Sequence, residues 1–84
     1  MKPLTQYGRM AEKHWLAHRP AMVVALEATG ELHAMLLEAE ERTEAELDSL
    51  RRHFIQQGLT PQQAQDQAWE IVRERYIFLR QESA

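Results

Sequence analysis

Leu32, Leu36, Ala39, Thr43, Leu47, Leu50 and Phe54 follow one another at steps of three or four residues. That spacing keeps them on one face of an α-helix, and it predicts a single helix over about 31–57. At 1.5 Å per residue such a helix is ~40 Å long. A compact chain of 84 residues has a radius of gyration of only ~12 Å. The stripe therefore overhangs any compact monomer, and the rest of the chain has to cover it.

The end of this helix is written in "GLTPQQ", residues 58–63. Gly58 can take the left-handed conformation that closes a helix. Thr60 is then an N-cap, Pro61 fits the first helical position, and Gln63 stands where a capping box needs it. Trp69, Val72, Tyr76 and Leu79 supply a second apolar stripe, which predicts a helix over 61–81. The short connection predicts that these two long helices fold back as an antiparallel hairpin. Upstream, Pro20 disfavours helical geometry at Arg19 and lacks an N–H, so a helix over 4–18 must end there and another begin. That next helix, about 20–29, is apolar on nearly every side, which predicts burial, and Gly30 breaks or kinks the chain before the long helix. No segment reads as strand. The expectation is an all-α bundle, one domain over 1–84, built on the long hairpin with two shorter N-terminal helices packed onto it.

Without cysteine the chain can form neither a disulfide nor a thiolate zinc site. Small domains short of core compensate by such staples or by oligomerising, and here oligomerisation remains. No secretory signal is evident, and the run "PAMVVALEA" is far shorter than the ~20 apolar residues that span a bilayer. A cytoplasmic protein without a membrane partner is expected.

His14 and His18 stand four apart, a spacing that lets a helix offer two imidazoles to one metal ion. No third ligand lies at a recognisable distance, so no metal site is expected. The carboxylates of "EAEERTEAELD" (38–48) read as a solvated helix face, with Glu38 and Arg42 as an i, i+4 pair. Nothing resembles a nucleophile with its base or a phosphate-cradling loop. Neither catalysis nor a cofactor is expected.

Charge bears on nucleic acid. The net charge of −3 is uneven. Residues 1–19 carry Lys2, Arg9, Lys13 and Arg19 against Glu12, whereas 20–50 carry eight acids against Arg42 alone. A generic nucleic-acid binder is more basic than this. The competing reading is a DNA-binding regulator in which "RRHFIQQGLTPQQAQ" forms a helix-turn-helix, with Gln62, Gln63 and Gln65 toward the bases. In that reading Arg9, Lys13, Arg19, Arg51 and Arg52 hold phosphates, provided they converge on one face; the same residues are candidates for contact with a protein partner. The favoured reading is a non-enzymatic interaction protein that forms a homodimer through Leu47, Leu50, Phe54 and Trp69, left partly wet by the hairpin.

Several short elements are familiar together: Tyr7-Gly8-Arg9, His18-Arg19-Pro20, Leu26, Gly30-Glu31-Leu32, and "AWEIVRERYI" from Ala68 to Ile77. They resemble the TnpV family of small transposon-encoded proteins. The resemblance implies a helical accessory protein of a mobile genetic element and brings no catalytic residues with it. Of the residues that carry it, Pro20 and Gly30 have structural reasons for their places. Arg9 and Arg19 show none in the sequence, which singles them out for function.

Overall fold

The computed structural model describes residues 3–82. Four helices follow in order: α1 (Gln6–His18), α2 (Pro20–Ala28), α3 (Leu32–Gln56) and α4 (Pro61–Tyr76). No strand occurs among the described residues. The molecule is a slab of 46 × 33 × 14 Å with a radius of gyration of 14.4 Å, looser than a compact chain of this length. A thickness of 14 Å matches two helices packed at ~8–10 Å, so every helix keeps one face outward.

The breaks form as their residues dictate. Gly30 has φ +73° and Gly58 φ +102°, each one residue beyond a helix cap. At α2, Gly30 donates to the Glu27 carbonyl and Glu31 to that of Leu26; at α3, Gly58 donates to Ile55 and Leu59 to Phe54. Both are the paired bonds of a Schellman end, which satisfy carbonyls that the helix leaves free. Across Gly30 the axes of α2 and α3 turn through 119°. At the start of α4 the capping box is complete, with Gln63 N–H donating to Thr60 Oγ1 at 3.2 Å and Thr60 N–H to Gln63 Oε1 at 3.0 Å.

The long stripe of α3 buries Leu36, Ala39, Thr43 and Leu47. Leu47 meets Ala68 and Val72 of α4, with Leu50, Phe54 and Trp69 packed round them. Trp15, Leu36, Ala39 and Ile77 join α1 and the end of the chain to the other half of the core. Thr43, fully buried, returns its hydroxyl to the Ala39 carbonyl at 2.8 Å, so its burial leaves no donor unpaired.

Three sequence expectations need correction. The last helix stops at Tyr76 rather than 81, because the carbonyls beyond it are claimed by side chains of α1, as described below. The apolar α2 is not enclosed: Val23 alone is buried, while Ala21, Val24, Ala25 and Ala28 face outward. A slab two helices thick has no interior in which a helix can be surrounded. The acidic run 38–48 is not wholly solvated either. Glu40 is only 2% exposed, and one of its oxygens, Oε2, accepts from Thr5 N–H at 2.7 Å and Thr5 Oγ1–H at 2.8 Å.

That contact places α1 on α3. Thr5 is the N-cap of α1 but makes no cap bond of its own; a carboxyl group from α3 takes its donors instead, where the helix dipole favours an acid. Gly8 makes room for it. A methyl group on Gly8 would lie 2.5 Å from Glu40 Oε2 and 2.9 Å from Leu4 Cδ2. Alanine ordinarily gains about 1 kcal/mol over glycine inside a helix. Here Gly8→Ala should instead lower stability, by roughly 1–3 kcal/mol as overpacking does, and Glu40→Ala by a comparable amount through the unpaired Thr5 donors. Thermal melts followed by circular dichroism check this; a higher melting temperature for Gly8→Ala would show that Glu40 is free to move away.

Candidate interaction surface

After Tyr76 the chain leaves α4 and runs as an irregular strap, residues 77–82, across the elbow where α1 meets α2. The elbow is the segment "HWLAHRP", residues 14–20, and four of its polar groups bond the strap. Trp15 Nε1–H donates to the Ile77 carbonyl at 3.1 Å. His14 presents Nε2 to the Leu79 carbonyl at 3.0 Å; a carbonyl can only accept, so this nitrogen carries the proton. Arg19 Nη1 donates to the Arg80 carbonyl at 3.0 Å, and Glu82 N–H to the His18 carbonyl at 2.9 Å. The Glu82 carboxylate then accepts from Met22 N–H at 2.9 Å and Ala21 N–H at 3.3 Å. Pro20 has no N–H to offer, so Glu82 takes the first two free donors of α2. The strap's Ile77 is fully buried.

His14 and His18 turn out to be part of this strap contact. Their rings lie 4.3 Å apart, and His14 stacks 5.0 Å from Phe78. Among the described residues no three His, Cys, Asp or Glu side chains gather in a way that could hold a metal ion. Arg19, singled out because no structural reason for it shows in the sequence, has one: it anchors the strap. Arg9 reaches the Leu4 carbonyl only at 3.4 Å and stays exposed.

Beside the strap lies a cleft of about 260 Å³ between α2 and α3. Its walls are apolar: Trp15, Met22, Leu26, Met35, Ala39 and Leu79. At its mouth Tyr76 donates to Glu46 Oε1 at 2.6 Å and Arg75 to Glu46 Oε2 at 2.9 Å. Arg42 pairs with Glu38 at 2.8 Å, but both are about half exposed, where such a pair adds little.

The five basic candidates are not gathered on one site. Arg51 and Arg52 both turn to Asp48, at 3.6 and 2.9 Å, and Arg51 lies near Tyr7 at the start of α1. Arg19 is at the far end, twelve residues or about 18 Å along that helix. Lys13 borders a groove with His14, His18 and Phe78. Two of the three glutamines meant to read bases are engaged: Gln63 caps α4, and Gln62 donates to Asp66 at 3.0 Å. Gln65 is half-buried, with its Oε1 unpaired among the described residues. Of the residues expected at a dimer interface, Leu47 is 3% exposed and Leu50, Phe54 and Trp69 pack round it within one chain. Trp69 additionally lies 5.5 Å from the Tyr7 ring and 6.0 Å from Phe78. One chain thus buries Leu47 by itself and leaves Leu50, Phe54 and Trp69 partly exposed.

Sequence reasoning missed Glu40, Glu46, Tyr76 and Glu82 as structural partners. For Glu40 a signal existed: it falls four residues after Leu36 and three before Thr43, inside the apolar stripe. For Glu82 none did.

The Tyr76–Glu46 bond sets a pH dependence. The Tyr76 hydroxyl, ahead of Arg75, holds the Glu46 carboxyl below the usual carboxylate range, and the same bond holds Tyr76 above the usual tyrosine range. A lowered carboxyl stabilises the fold above its unfolded pKa and loses that contribution as pH falls through its folded one. A raised phenol contributes below its unfolded pKa and loses it as pH rises through the folded one. The melting-temperature gap between wild type and Tyr76→Phe should therefore be widest near neutrality and shrink in acid and in strong base. A gap that stays constant across pH would show that the bond does not form.

The family model described as Transposon-encoded protein TnpV matches residues 1–81. No curated protein and no solved structure matches. The matched span takes in all four helices and the strap up to Gln81, so the family assignment covers Gly8, the elbow and the strap's apolar anchors together. The chain is a member of the TnpV family of transposon-encoded proteins.

Proposed function

We propose that this protein is a non-enzymatic interaction protein of a mobile genetic element, working in the cytoplasm as a homodimer. The observation that carries this reading is the outer face of α2. In "PAMVVALEA" Glu27 is the single charged residue, yet Val24 is 65% exposed, and Leu16 on the adjoining end of α1 is 52% exposed. Val24 and Leu16 are the most exposed of the large apolar side chains, ahead of Ile55, Met35 and Ile71, and exposed apolar surface of this kind marks a contact site. The hairpin of α3 and α4, in which Glu46 meets Tyr76 across a four-residue connection, supports that end as a rigid base.

A second copy suits this face. A two-fold axis would set one α2 against its symmetry mate, so that Leu16 and Val24 are each covered twice. Complete burial of such side chains is worth roughly 1.5–3 kcal/mol each. We set α2 and Leu16 ahead of Leu50, Phe54 and Trp69 as the dimer surface because those three are already partly buried round Leu47. The DNA-binding alternative has no support in the dispersed and paired basic residues.

Sedimentation equilibrium at micromolar concentration tests the dimer. The wild type should sediment at twice the chain mass of 9.9 kDa. Val24→Glu should weaken association at least tenfold, about 1.4 kcal/mol, with unchanged helical content. A wild type that sediments as one chain would sink the homodimer.

A further inference from the structure

We propose that the α1–α2 elbow is a receptor for an extended acidic segment of a partner protein, and that residues 77–82 fill it in cis as a stand-in ligand. The proposal deepens the interaction reading by naming a partner chemistry, and it does not depend on the homodimer.

The way the strap is held is the way an extended peptide is recognised. Three side chains, Trp15, His14 and Arg19, bind main-chain carbonyls of Ile77, Leu79 and Arg80, and the main chain of His18 takes the N–H of Glu82. Backbone bonds of this kind give affinity to any extended segment and leave selection to the side chains. Two features select here. Ile77 is enclosed completely, so the first position wants a branched apolar anchor. Five residues later a carboxylate meets the two free N–H groups of α2, where helix N-termini favour anions.

The strap does not fill the site fully. Arg19 Nε is buried without a hydrogen-bond partner, although Nη1 of the same guanidinium is bonded to the strap. A buried unpaired donor is costly, and a carboxylate is the acceptor that a guanidinium fork matches best. The strap brings it no carboxylate, since the residue whose carbonyl Arg19 holds is Arg80. Lys13 borders the adjacent groove together with His14 and His18, which adds a second cation beside Arg19 on the side the strap crosses. A segment with an acid at the Arg80 position and another at the Glu82 position complements it better than the strap does.

The experiment uses labelled peptides and the full chain. One peptide has the sequence of residues 75–82; the other carries R80E. Fluorescence anisotropy is read against wild type, Glu82→Ala and Glu82→Ala/Arg19→Gln. The R80E peptide should bind the Glu82→Ala chain at least tenfold more tightly than wild type, because the cis strap is weakened. It should outcompete the unaltered peptide, and binding should fall away with Arg19→Gln and with added salt. Failure of both peptides to bind a Glu82→Ala chain of wild-type helical content would overturn the proposal, as would binding indifferent to Arg19→Gln. Should Glu82→Ala lose helical content, hydrogen exchange on the wild type decides. Strap amides exchanging well before those of α1 support a displaceable strap, and equal protection overturns it. Val24→Glu separates this from the dimer: a monomeric variant should still take the peptide in the Glu82→Ala background. A wild-type dimer that Glu82→Ala alone dissociates would mean that the strap of a second copy fills the elbow, and would overturn a foreign partner.

Discussion

The Glu40 carboxyl group holds the start of α1 against the middle of α3, and much of the molecule follows from that placement. Without it Thr5 would have to cap α1 from its own side chain, and α1 would be free to rotate or slide along α3. With Thr5 pinned and Gly8 permitting close approach, Ala11 and Trp15 fall on the buried face at intervals of three and four residues. Trp15 then presents its indole N–H at the point where the chain emerges from α4. The strap is bound there because α1 was registered 35 residues away. The polar contact of Thr5 with Glu40 thus works with the packing of Ala11 and Trp15 to set where the strap is held.

The elements most legible in the sequence were those decided within a few residues. Thr60, Pro61 and Gln63 specify the start of α4 by bonds to one another, and Gly30 and Gly58 specify the breaks by conformations that side chains resist. The stripe of α3 was legible for a similar reason, since its period is local even though its cover is not. What failed was decided at a distance. Leu79 fits the period of α4, but helix beyond Tyr76 would forfeit the bonds from His14, Trp15 and Arg19, and the tertiary bonds win. Glu82 carries no local signal, and nothing near it in sequence points to the donors of Ala21 and Met22. The apolar composition of α2 predicted burial because composition does not report the thickness of the fold. Arg19 looked functional only because its structural partner is 61 residues away.

The TnpV resemblance was legible from short elements whose places in the structure are now physical. Gly8 is where a side chain would collide with Glu40, and Tyr7 is stacked near Trp69. His18 and Arg19 hold the strap. The family assignment places the protein on a mobile element; these contacts explain the sequence elements without reference to any reaction.

α2 is the element on which the surfaces converge, and its stability is unusual in origin. It buries Val23 and packs Met22 and Leu26 against the core. Nine residues are too few to hold a helix in water by propensity alone. Both ends of α2 are held as well: by the Glu82 carboxylate on Ala21 and Met22, and by the Schellman bonds at Gly30. The second is local and permanent, whereas the first belongs to the strap. Occupancy of the elbow and order in α2 are therefore linked, because an empty elbow leaves the first turn of α2 uncapped. The exposed face of Leu16 and Val24 lies on the same two helices. The Glu82 bonds and the exposed side chain of Val24 therefore belong to one nine-residue helix, and the strap that caps its first turn also steadies the surface it presents.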